Sequence, residues 1–575
     1  MPRPRTGKTH TGERREYRKN GDIYVYERIT GYDPKKQKTV TISEHLKGKI
    51  RAGSEEIIPT RPKRPRGETR LFSSNATSSR LHTGVTELLQ WVGLSSGIDK
   101  DVLSSFSRGD AEKILSIARY LVATDGNTLP RLESWQTMHE LPYSYGISQD
   151  VYSDLFHSIG LNEDGVQAYF RCRASVLKSN PVIAFDSTTI STYSENQSEA
   201  RQGFNKDRDG LDTIKLLTLF SIKDREPVAF AKQPGNIPDV ISIENTLKQV
   251  KCLNVERPVI VTDNGYYSHD NMMEFVRRNM KFLTLVDSDV KWVRCVIDEL
   301  RDTVSLTSHI CPFDIGIRGA SSSLMHQFKF TRQRTRGGVS AGDTETFSKR
   351  LYVHVFYSQN NMGKKSVAFD TSLFKLKKQL EEGITDFTQA AQKKIDQYLI
   401  LSRLGRGGHL KVDFNEAAIA EARKYFGYFV LVGNQPMETF EALENYRMRE
   451  RIEEAFADQK GSIDSRRPRV WYPDNLRGRM FVQFVALGYL CHLQRRLKEV
   501  RAELGRNTSK MTKEQLALEN KLAAWLDSHS IAQIMDWFDC IETTTCQTAA
   551  GTIRWSTESV ARDRLLLEKL GVIKI

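Results

Sequence analysis

Hydrophobic and polar residues follow different periods along the chain, and each period predicts a different kind of element. Residues 21–50 alternate apolar and polar side chains around a turn at Gly31–Pro34, which predicts a β-hairpin. From Thr83 to about Arg173 apolar residues recur every three or four positions, which predicts an all-α unit. Short apolar runs then predict three strands, a helix, a strand, a helix and a strand, at residues 181–185, 213–220, 226–231, 239–252, 258–262, 268–279 and 282–286.

The pattern changes again after residue 286. Strand-like alternation at 326–330 and 351–357, with a helical pattern from about 374 to 404, predicts an inserted domain that is mainly β with a long helix. One more strand follows at 425–432, then a helix from near Glu438 and a helical tail.

The order of three strands, helix, strand, helix and strand is that of the ribonuclease-H-like fold, which carries acidic residues at strand ends. We therefore predict a multidomain α/β protein whose core is a mixed sheet with flanking helices. The predicted divisions are a basic hairpin module (1–58), a basic Pro-rich linker (59–82), a helical unit (83–175), the first part of the core (176–286), the insertion (287–425), the second part of the core (426–500) and a helical C-terminal region (501–575).

Charge adds a candidate partner to this picture. The chain has 85 Lys and Arg against 71 Asp and Glu, a net charge of +14, and residues 1–70 alone contribute 19 − 9 = +10. Such an arm favours nucleic acid or an anionic membrane surface. The longest apolar runs, such as Phe481–Leu490, fall short of the roughly 20 residues of a membrane span. We therefore expect DNA as the partner, no membrane contact and a cytoplasmic location.

Cysteine spacing limits the kinds of metal to expect. The 7 cysteines form no C-x2-C pair, and the 12 histidines are dispersed, so neither a zinc ribbon nor a disulfide framework is expected. Ions that prefer oxygen ligands remain.

One stretch, Tyr446–Lys460, carries the spacing Y-x2-R-x3-E-x6-K. On a continuous helix with about 100° per residue, Tyr446, Arg449, Glu453 and Lys460 share a stripe within about 60°. A solvated charged face is the simple explanation. A carboxylate that binds a metal beside groups that hold a polyanion is the functional one.

Two further acids follow buried strands, Asp186 and Asp263. Either one alone could cap a helix or form a turn. Clustered with Glu453 at about 4 Å, each pair would repel by about 4 kcal/mol, so bound cations must offset the charge. Two Mg²⁺ ions could do so while activating water or a 3′-hydroxyl of DNA. Glu450 and Glu454 are rivals for the third acid, and helical register favours Glu453 over both.

At these residues the sequence resembles the DDE transposases of bacterial insertion sequences, in the group with the Y-R-E-K signature. The resemblance covers about residues 20–500, and the long gap before Glu453 is similar to members with a β-strand insertion. Phe426 and Gly433 depart from the family pattern at positions that do not bind metal. The matching motifs are Phe185–Thr189, Gly203–Arg208, Gly235–Asp239, Thr262–Tyr267 and Phe426–Asn434.

The resemblance implies Asp186, Asp263 and Glu453 as a catalytic triad that binds two Mg²⁺ ions, with Mn²⁺ as a substitute. It implies that Tyr446, Arg449 and Lys460 contact the terminal phosphates of a transposon end. Such enzymes bind terminal inverted repeats, cleave double-stranded DNA and join the 3′ ends to target DNA, usually as a homodimer in a synaptic complex. We expect the same here, in association with a prokaryotic nucleoid.

Some roles stay open at the sequence level. Lys206 and Arg208 either touch DNA or lie in a solvated turn, and members with a β insertion often pass through a DNA hairpin. Trp292 and Trp471 are candidates to stack on a flipped base. The competing functions are an inactive, transposase-derived DNA-binding regulator and a ribonuclease-H-like nuclease.

Overall fold

The computed structural model describes residues 9–33, 36, 38–58, 78–177, 181–203, 205, 209–249, 258–331, 344–403, 410–463, 469–506, 511–548, 551–557 and 559–572. The chain divides into two compact units. The first comprises Met1–Ser73 with Ser144–Gly146, and the second comprises Ser74–Tyr143 with Ile147–Ile575.

The first unit is built on a three-stranded antiparallel sheet in the order β1-β2-β3. The predicted hairpin corresponds to β2 and β3, and β1 is an addition that its charged sequence did not reveal. Gly31 lies within β2 rather than in the turn, and its lack of a side chain suits this position, since a Cβ there would lie 2.7 Å from the Ile42 side chain of β3. The strands are β1 (His10–Tyr17), β2 (Ile23–Asp33) and β3 (Lys38–Ile50).

The second unit begins with one strand and six helices, as the apolar period of three to four residues predicts. Most apolar positions of this segment, among them Leu88, Leu89 and Val92, lie in the main core, whereas Leu94 is 67% exposed. The elements are β4 (Ser78–His82), α1 (Gly84–Ser96), α2 (Ile98–Ser105), α3 (Arg108–Ala123), α4 (Leu132–Trp135), α5 (Gln149–Leu161) and α6 (Glu163–Ser175).

A mixed sheet follows in the predicted order of elements. Strand β5 pairs antiparallel with β6 and parallel with β8, and β8 pairs parallel with β9. β5 runs past Asp186 as far as Thr192, so the prediction that Asp186 ends a strand is wrong. The elements are β5 (Val182–Thr192), β6 (Asp212–Ser221), β7 (Glu226–Pro234), α7 (Asp239–Gln249), β8 (Val259–Thr262), α8 (His269–Arg277) and β9 (Lys281–Val286).

Among its described residues, the segment 287–425 contains more helical than strand residues, so this part of the chain is mixed α and β. Its predicted helix at 374–404 is two helices, because Gly383 adopts a left-handed φ of +82° and Thr388 caps a new N-terminus. The elements are α9 (Lys291–Ser305), β10 (Ile310–Cys311), β11 (Asp314–Thr331), β12 (Thr344–Ser358), α10 (Gln359–Glu381), α11 (Gln389–Tyr398), β13 (Leu399–Arg403), β14 (Leu410–Phe414) and α12 (Glu416–Arg423).

The segment contributes to two structures. Strands β10, β11 and β12 extend the mixed sheet, whose nine strands run β10-β11-β12-β15-β9-β8-β5-β6-β7, where β15 is Tyr428–Gly433. Helices α10 and α11 instead pack with the two-stranded sheet β13-β14 around a small separate core, which contains Leu380, Ile395 and Val412.

After β15, the elements in the described part of the chain are helices and one hairpin. Helix α15 is 31 residues long and lies buried through its central apolar run. The predicted helical C-terminal region does contain α16, α17 and α18, but residues 542–548 and 551–556 form strands instead, because Thr-rich β16 pairs with both β17 and β4. The elements after β15 are α13 (Thr439–Arg447), α14 (Glu450–Lys460), α15 (Pro473–Glu503), α16 (Lys513–Ser528), α17 (Ile531–Asp539), β16 (Glu542–Thr548), β17 (Gly551–Ser556) and α18 (Ala561–Leu570).

Helix α15 crosses α5 at very close range. A Cβ on Gly478 would lie 1.9 Å from the carbonyl oxygen of Phe156, and one on Gly160 would lie 2.0 Å from that of Asp474. Only glycine allows the two backbones to approach so closely. Among the described helices, none has the length and apolar character needed to cross a bilayer.

Candidate active site

Asp186 and Asp263 lie side by side on neighbouring parallel strands. The parallel pairing of β5 and β8 ends at Phe185 opposite Thr262, so Asp186, within β5, and Asp263, directly after β8, are the next residue on each side. Asp186 is therefore not at the end of a strand, but at the end of a parallel pairing. This register brings the two carboxylates to one edge of the β5–β8 pair.

Both aspartates also satisfy local backbone groups. The Asp186 side chain accepts a hydrogen bond from the amide of Ser187 at 2.7 Å, and Asp263 accepts one from the amide of Asn264 at 2.8 Å. Asp263 thereby caps a short 3-10 helix over Asn264–Tyr266. These bonds fix one oxygen of each carboxylate and leave the other oxygen to face the site.

The predicted stripe at 446–460 is not one continuous helix. Helix α13 ends at Arg447 and α14 begins at Glu450, with a tight turn between them in which the amide of Arg449 donates to the carbonyl of Tyr446 at 3.0 Å. The regular rotation of 100° per residue is therefore interrupted between Tyr446 and Glu453, and the two side chains are not related by one helical stripe. Arg449 and Glu453 still share a face, because they are four residues apart at the start of α14.

The Arg449 guanidinium lies among all three predicted acids. Its Nη1 is 3.3 Å from Asp186 Oδ2 and 3.1 Å from Glu453 Oε1, and its Nη2 is 3.7 Å from Asp263 Oδ2. The Arg449 side chain is 10% exposed, whereas those of Asp263 and Glu453 are 41% and 57% exposed. The carboxylates therefore converge on one cation in a site that is open on one side.

Electrostatics explains the protonation states in this cluster. Burial would lower the pKa of Arg449, but the negative charges of Asp263, Asp186 and Glu453 outweigh burial and raise it. The phenol of Tyr446 donates to Asp263 Oδ1 at 2.9 Å. Burial, and then the charge of Asp263, raise the pKa of Tyr446 well above its ordinary range, so Tyr446 remains a neutral hydrogen-bond donor.

Further polar side chains form hydrogen bonds with Asp186 or with its neighbour Ser187. Tyr266 donates to Asp186 Oδ1 at 3.4 Å, and burial together with that carboxylate raises the pKa of the Tyr266 phenol. Ser187 donates to Asp239 at 3.0 Å, and Lys215 forms an ion pair with Asp239 at 2.7 Å. Tyr266 and Asp239 lie in two of the motifs that match the family pattern. Their contacts with Asp186 and Ser187 could not be predicted, because these residues are far apart in the sequence.

The rival acids lie elsewhere. Glu450 lines a pocket together with Arg447 and Asp314. The Oε2 atom of Glu454 lies 4.0 Å from Nζ of Lys498. Lys460 is half-buried at the last residue of α14, two turns beyond Glu453. Lys206 and Arg208 lie outside the described residues.

The two tryptophans differ in exposure. Trp292 is partly buried in α9, and its indole nitrogen donates to Tyr267 at 3.3 Å. Trp471 is 58% exposed, just before the start of α15.

The donor set fits a divalent cation. The three carboxylates and the guanidinium of Arg449 together carry a formal charge of −3 + 1 = −2. Carboxylate oxygens are the ligands that Mg²⁺ and Mn²⁺ prefer. The guanidinium of Arg449 is the positive group around which the oxygens of the three carboxylates lie.

Residues 178–487 match the family model described as transposase DDE domain, and this match spans more than half of the chain. The protein therefore belongs to the DDE transposase family. Members of this family are enzymes that act on DNA and generally use divalent metal ions.

Comparison with solved structures found a cryo-EM structure of a piggyBac transposase synaptic complex with hairpin DNA. The match has 8% sequence identity and a TM-score of 0.33, and covers 86% of this chain and 83% of that chain. That similarity is too low to support conclusions about this chain. No curated protein matches its sequence.

Proposed function

We propose that the protein is a cut-and-paste transposase, which binds the terminal inverted repeats of an insertion sequence, cleaves the DNA ends and joins their 3′-hydroxyls to target DNA. The observation that carries this proposal is the convergence of Asp186, Asp263 and Glu453 on Arg449. The family match supplies the reaction class.

The proposed catalytic core has a ribonuclease-H-like fold. Three strands, helix, strand, helix and strand follow in that order from β5 to β9, with β5, β8 and β9 parallel and β6 and β7 antiparallel. In this arrangement the acids lie where parallel pairing stops. Strand β15 and helix α14 then bring Glu453 to the same edge.

Asp186, Asp263 and Glu453 would hold two Mg²⁺ ions, or Mn²⁺ in their place. When bound, such ions activate a water or a 3′-hydroxyl and stabilise the leaving oxygen of an in-line displacement. Tyr446 orients Asp263 through its 2.9 Å hydrogen bond. Arg449, as a planar fork of donors, is suited to bind a phosphate of the transposon end in two places.

The remaining contacts of the DNA are part of the same proposal. Lys460 binds a terminal phosphate as a point charge, and the basic hairpin module and the helical unit bind the flanking duplex. If the ends pass through a hairpin, Trp471 is better placed than Trp292 to stack on a flipped base, because it is 58% exposed. Two copies in a synaptic complex would hold the paired ends.

The test is Mg²⁺-dependent cleavage of DNA that carries the inverted repeats flanking the gene. Asp186→Asn, Asp263→Asn and Glu453→Gln should each abolish cleavage while binding of end DNA is retained. Glu450→Gln and Glu454→Gln are matched controls on the same helix and should cleave as the wild type does. Full cleavage by any triad variant would contradict the assignment.

The products separate the competing functions. A transposase joins the freed 3′ ends to a second duplex, whereas a nuclease leaves only hydrolysed ends. Wild-type protein that binds the ends but leaves them intact with Mg²⁺ and with Mn²⁺ would indicate a regulator.

A further inference from the structure

A second cluster of potential metal ligands lies apart from the candidate active site. His82 ends β4, His139 follows α4, and Asp539 ends α17. One potential ligand atom from each of these three residues lies within 4.8 Å of the others. The cluster therefore joins segments that are 457 residues apart in the chain, the separation of His82 and Asp539.

Each imidazole has its Nδ1 tied to a backbone carbonyl. His82 Nδ1 is 2.6 Å from the carbonyl oxygen of Asp539, and His139 Nδ1 is 2.7 Å from that of Trp135. A carbonyl can only accept, so each Nδ1 carries the hydrogen and donates it. This hydrogen bond is the usual support of a metal-binding histidine, because it fixes the ring and leaves the Nε2 lone pair for the metal.

Both Nε2 atoms face carboxylates. His139 Nε2 is 2.7 Å from Asp539 Oδ1, and His82 Nε2 is 3.6 Å from Glu542 Oε1. In a neutral imidazole with hydrogen on Nδ1, the Nε2 lone pair would point at a negatively charged oxygen. A proton on Nε2 or a metal ion bound by both the nitrogen and the oxygen removes that repulsion, and the metal content of the protein distinguishes the two.

The rings are held rigidly for such a role. The His139 side chain is 4% exposed, and its ring stacks on Trp135 with centroids 3.6 Å apart. The His82 ring stacks on His139 at 4.9 Å. Preorganised ligands lose little side-chain entropy when they bind an ion.

We propose that His82, His139 and Asp539 bind a Zn²⁺ ion, with water or Glu542 in the fourth position. Imidazole and carboxylate together suit zinc, whereas Mg²⁺ prefers oxygen ligands alone. Zinc ligands at about 2.0–2.1 Å from the ion lie about 3.4 Å from one another in a tetrahedron, so side-chain adjustments of about 1 Å complete the site.

The ion would act as a structural cross-link rather than in DNA cleavage. It fixes β4 and the segment after α4 to the junction of α17 and β16, and so ties the beginning of the second unit to its end. Because these ligands come together only in the folded chain, the free energy of binding the ion stabilises the folded state.

The test is the zinc content of the purified full-length protein by mass spectrometry. The wild type should contain about one zinc per chain, and His82→Asn and Asp539→Asn should lose nearly all of it. His157→Asn and Asp536→Asn, at exposed positions of α5 and α17, are matched controls that should retain zinc. Circular dichroism and binding of DNA ends check that each variant is folded.

Two further measurements locate the ion and its effect. Asp186→Asn should retain zinc, which distinguishes this cluster from the candidate active site. A chelator should lower the melting temperature of the wild type, and added zinc should restore it, with no such response in Asp539→Asn. Wild-type protein that stays below about 0.1 zinc per chain after zinc is supplied, or a zinc content unchanged in both cluster variants, would overturn the proposal.

Discussion

Arg449 offsets one of the three negative charges in the candidate active site. Its side chain and that of Asp186 are 10% and 12% exposed, so this pair is largely removed from solvent. A buried carboxylate that loses its partner is strongly destabilising, whereas exposed pairs contribute little. The pairing with Asp186 is therefore the one that matters for stability.

Arg449→Ala should lower the free energy of unfolding by about 1–3 kcal/mol, mostly through Asp186. Because the variant site is more negative, Mg²⁺ should raise its melting temperature more than that of the wild type. Thermal melts with and without Mg²⁺ measure both effects. Arg447→Ala is the control, since its pair with Asp314 is 38% and 34% exposed. Equal Mg²⁺ responses in Arg449→Ala and wild type would contradict the prediction.

Only part of the candidate active site could be predicted from the sequence. Short apolar runs predict that Asp186 and Asp263 lie close together, and the structure places both near Arg449, with Glu453 on the same side of α14. Their catalytic role stays a prediction. Arg449 was predicted to contact phosphates, but its position among the three carboxylates was not predicted, because a helical stripe shows which residues share a face and not what that face contacts. The break at Met448–Arg449 has no proline or glycine, so no local signal marked it.

At the scale of elements, the crossing of α5 and α15 depends on two glycines. Gly478→Ala would place a methyl group 1.9 Å from the carbonyl oxygen of Phe156. The helices would have to separate, which we expect to cost about 2–4 kcal/mol in the free energy of unfolding.

The control for this prediction is Gly363→Ala. Gly363 lies within α10, and a Cβ there meets nothing within 4 Å, so alanine should be neutral or stabilise by up to about 1 kcal/mol. Urea denaturation of both variants measures the difference. A Gly478→Ala variant as stable as Gly363→Ala would show that the crossing can relax.

Acid should weaken the contact between the central sheet and α13. His354 of β12 lies 2.6 Å from Ser321 of β11, which in turn contacts Thr439 at the start of α13. Burial lowers the pKa of His354 from 6.5 to about 4. Between these values the unfolded chain binds more protons than the folded one, so the free energy of unfolding falls as pH drops from 6.5 towards 4.

The loss from His354 should reach up to about 3 kcal/mol near pH 4 and should be absent above pH 6.5. His354→Gln removes this titration, so its stability should depend less on pH than that of the wild type. Denaturation at pH 7, 5.5 and 4.5 tests this. Parallel pH profiles in the two proteins would show that His354 does not titrate in this way.

Helices and strands were predicted best where the elements that they pack against or pair with lie close in the sequence. The order from β5 to β9 and the helices from α1 to α6 follow from local periodicity. Strand β16, Glu542–Thr548, has three consecutive threonines that favour a strand. Its neighbour β4 lies near the other end of the chain, and no local pattern indicates such a partner.

At the scale of the whole molecule, positive charge is unevenly distributed. Residues 1–58 contain 14 Lys and Arg and 8 Asp and Glu, so 14 − 8 = +6 of the net +14 lies in this segment. Each phosphate neutralised on duplex DNA steepens the dependence of log K on log salt by about 0.9.

A variant lacking residues 1–58 should bind end DNA more weakly and with a shallower salt dependence than the full chain. Fluorescence anisotropy over a series of salt concentrations gives both slopes. Cleavage at saturating DNA should persist, because the triad lies in the other unit. Identical slopes would show that this segment does not contact phosphates.

The pairing of β4 with β16 has a consequence for how the protein is made. Thr83 and Thr543, which contact each other beside this pairing, are 460 residues apart. At 5–20 residues per second, a ribosome needs about 20–90 s to synthesise the chain between them. The neighbour that β4 requires therefore emerges long after β4 itself. The helical unit that follows β4 is synthesised well before this pairing can form, and a chain that terminates before β16 never forms it.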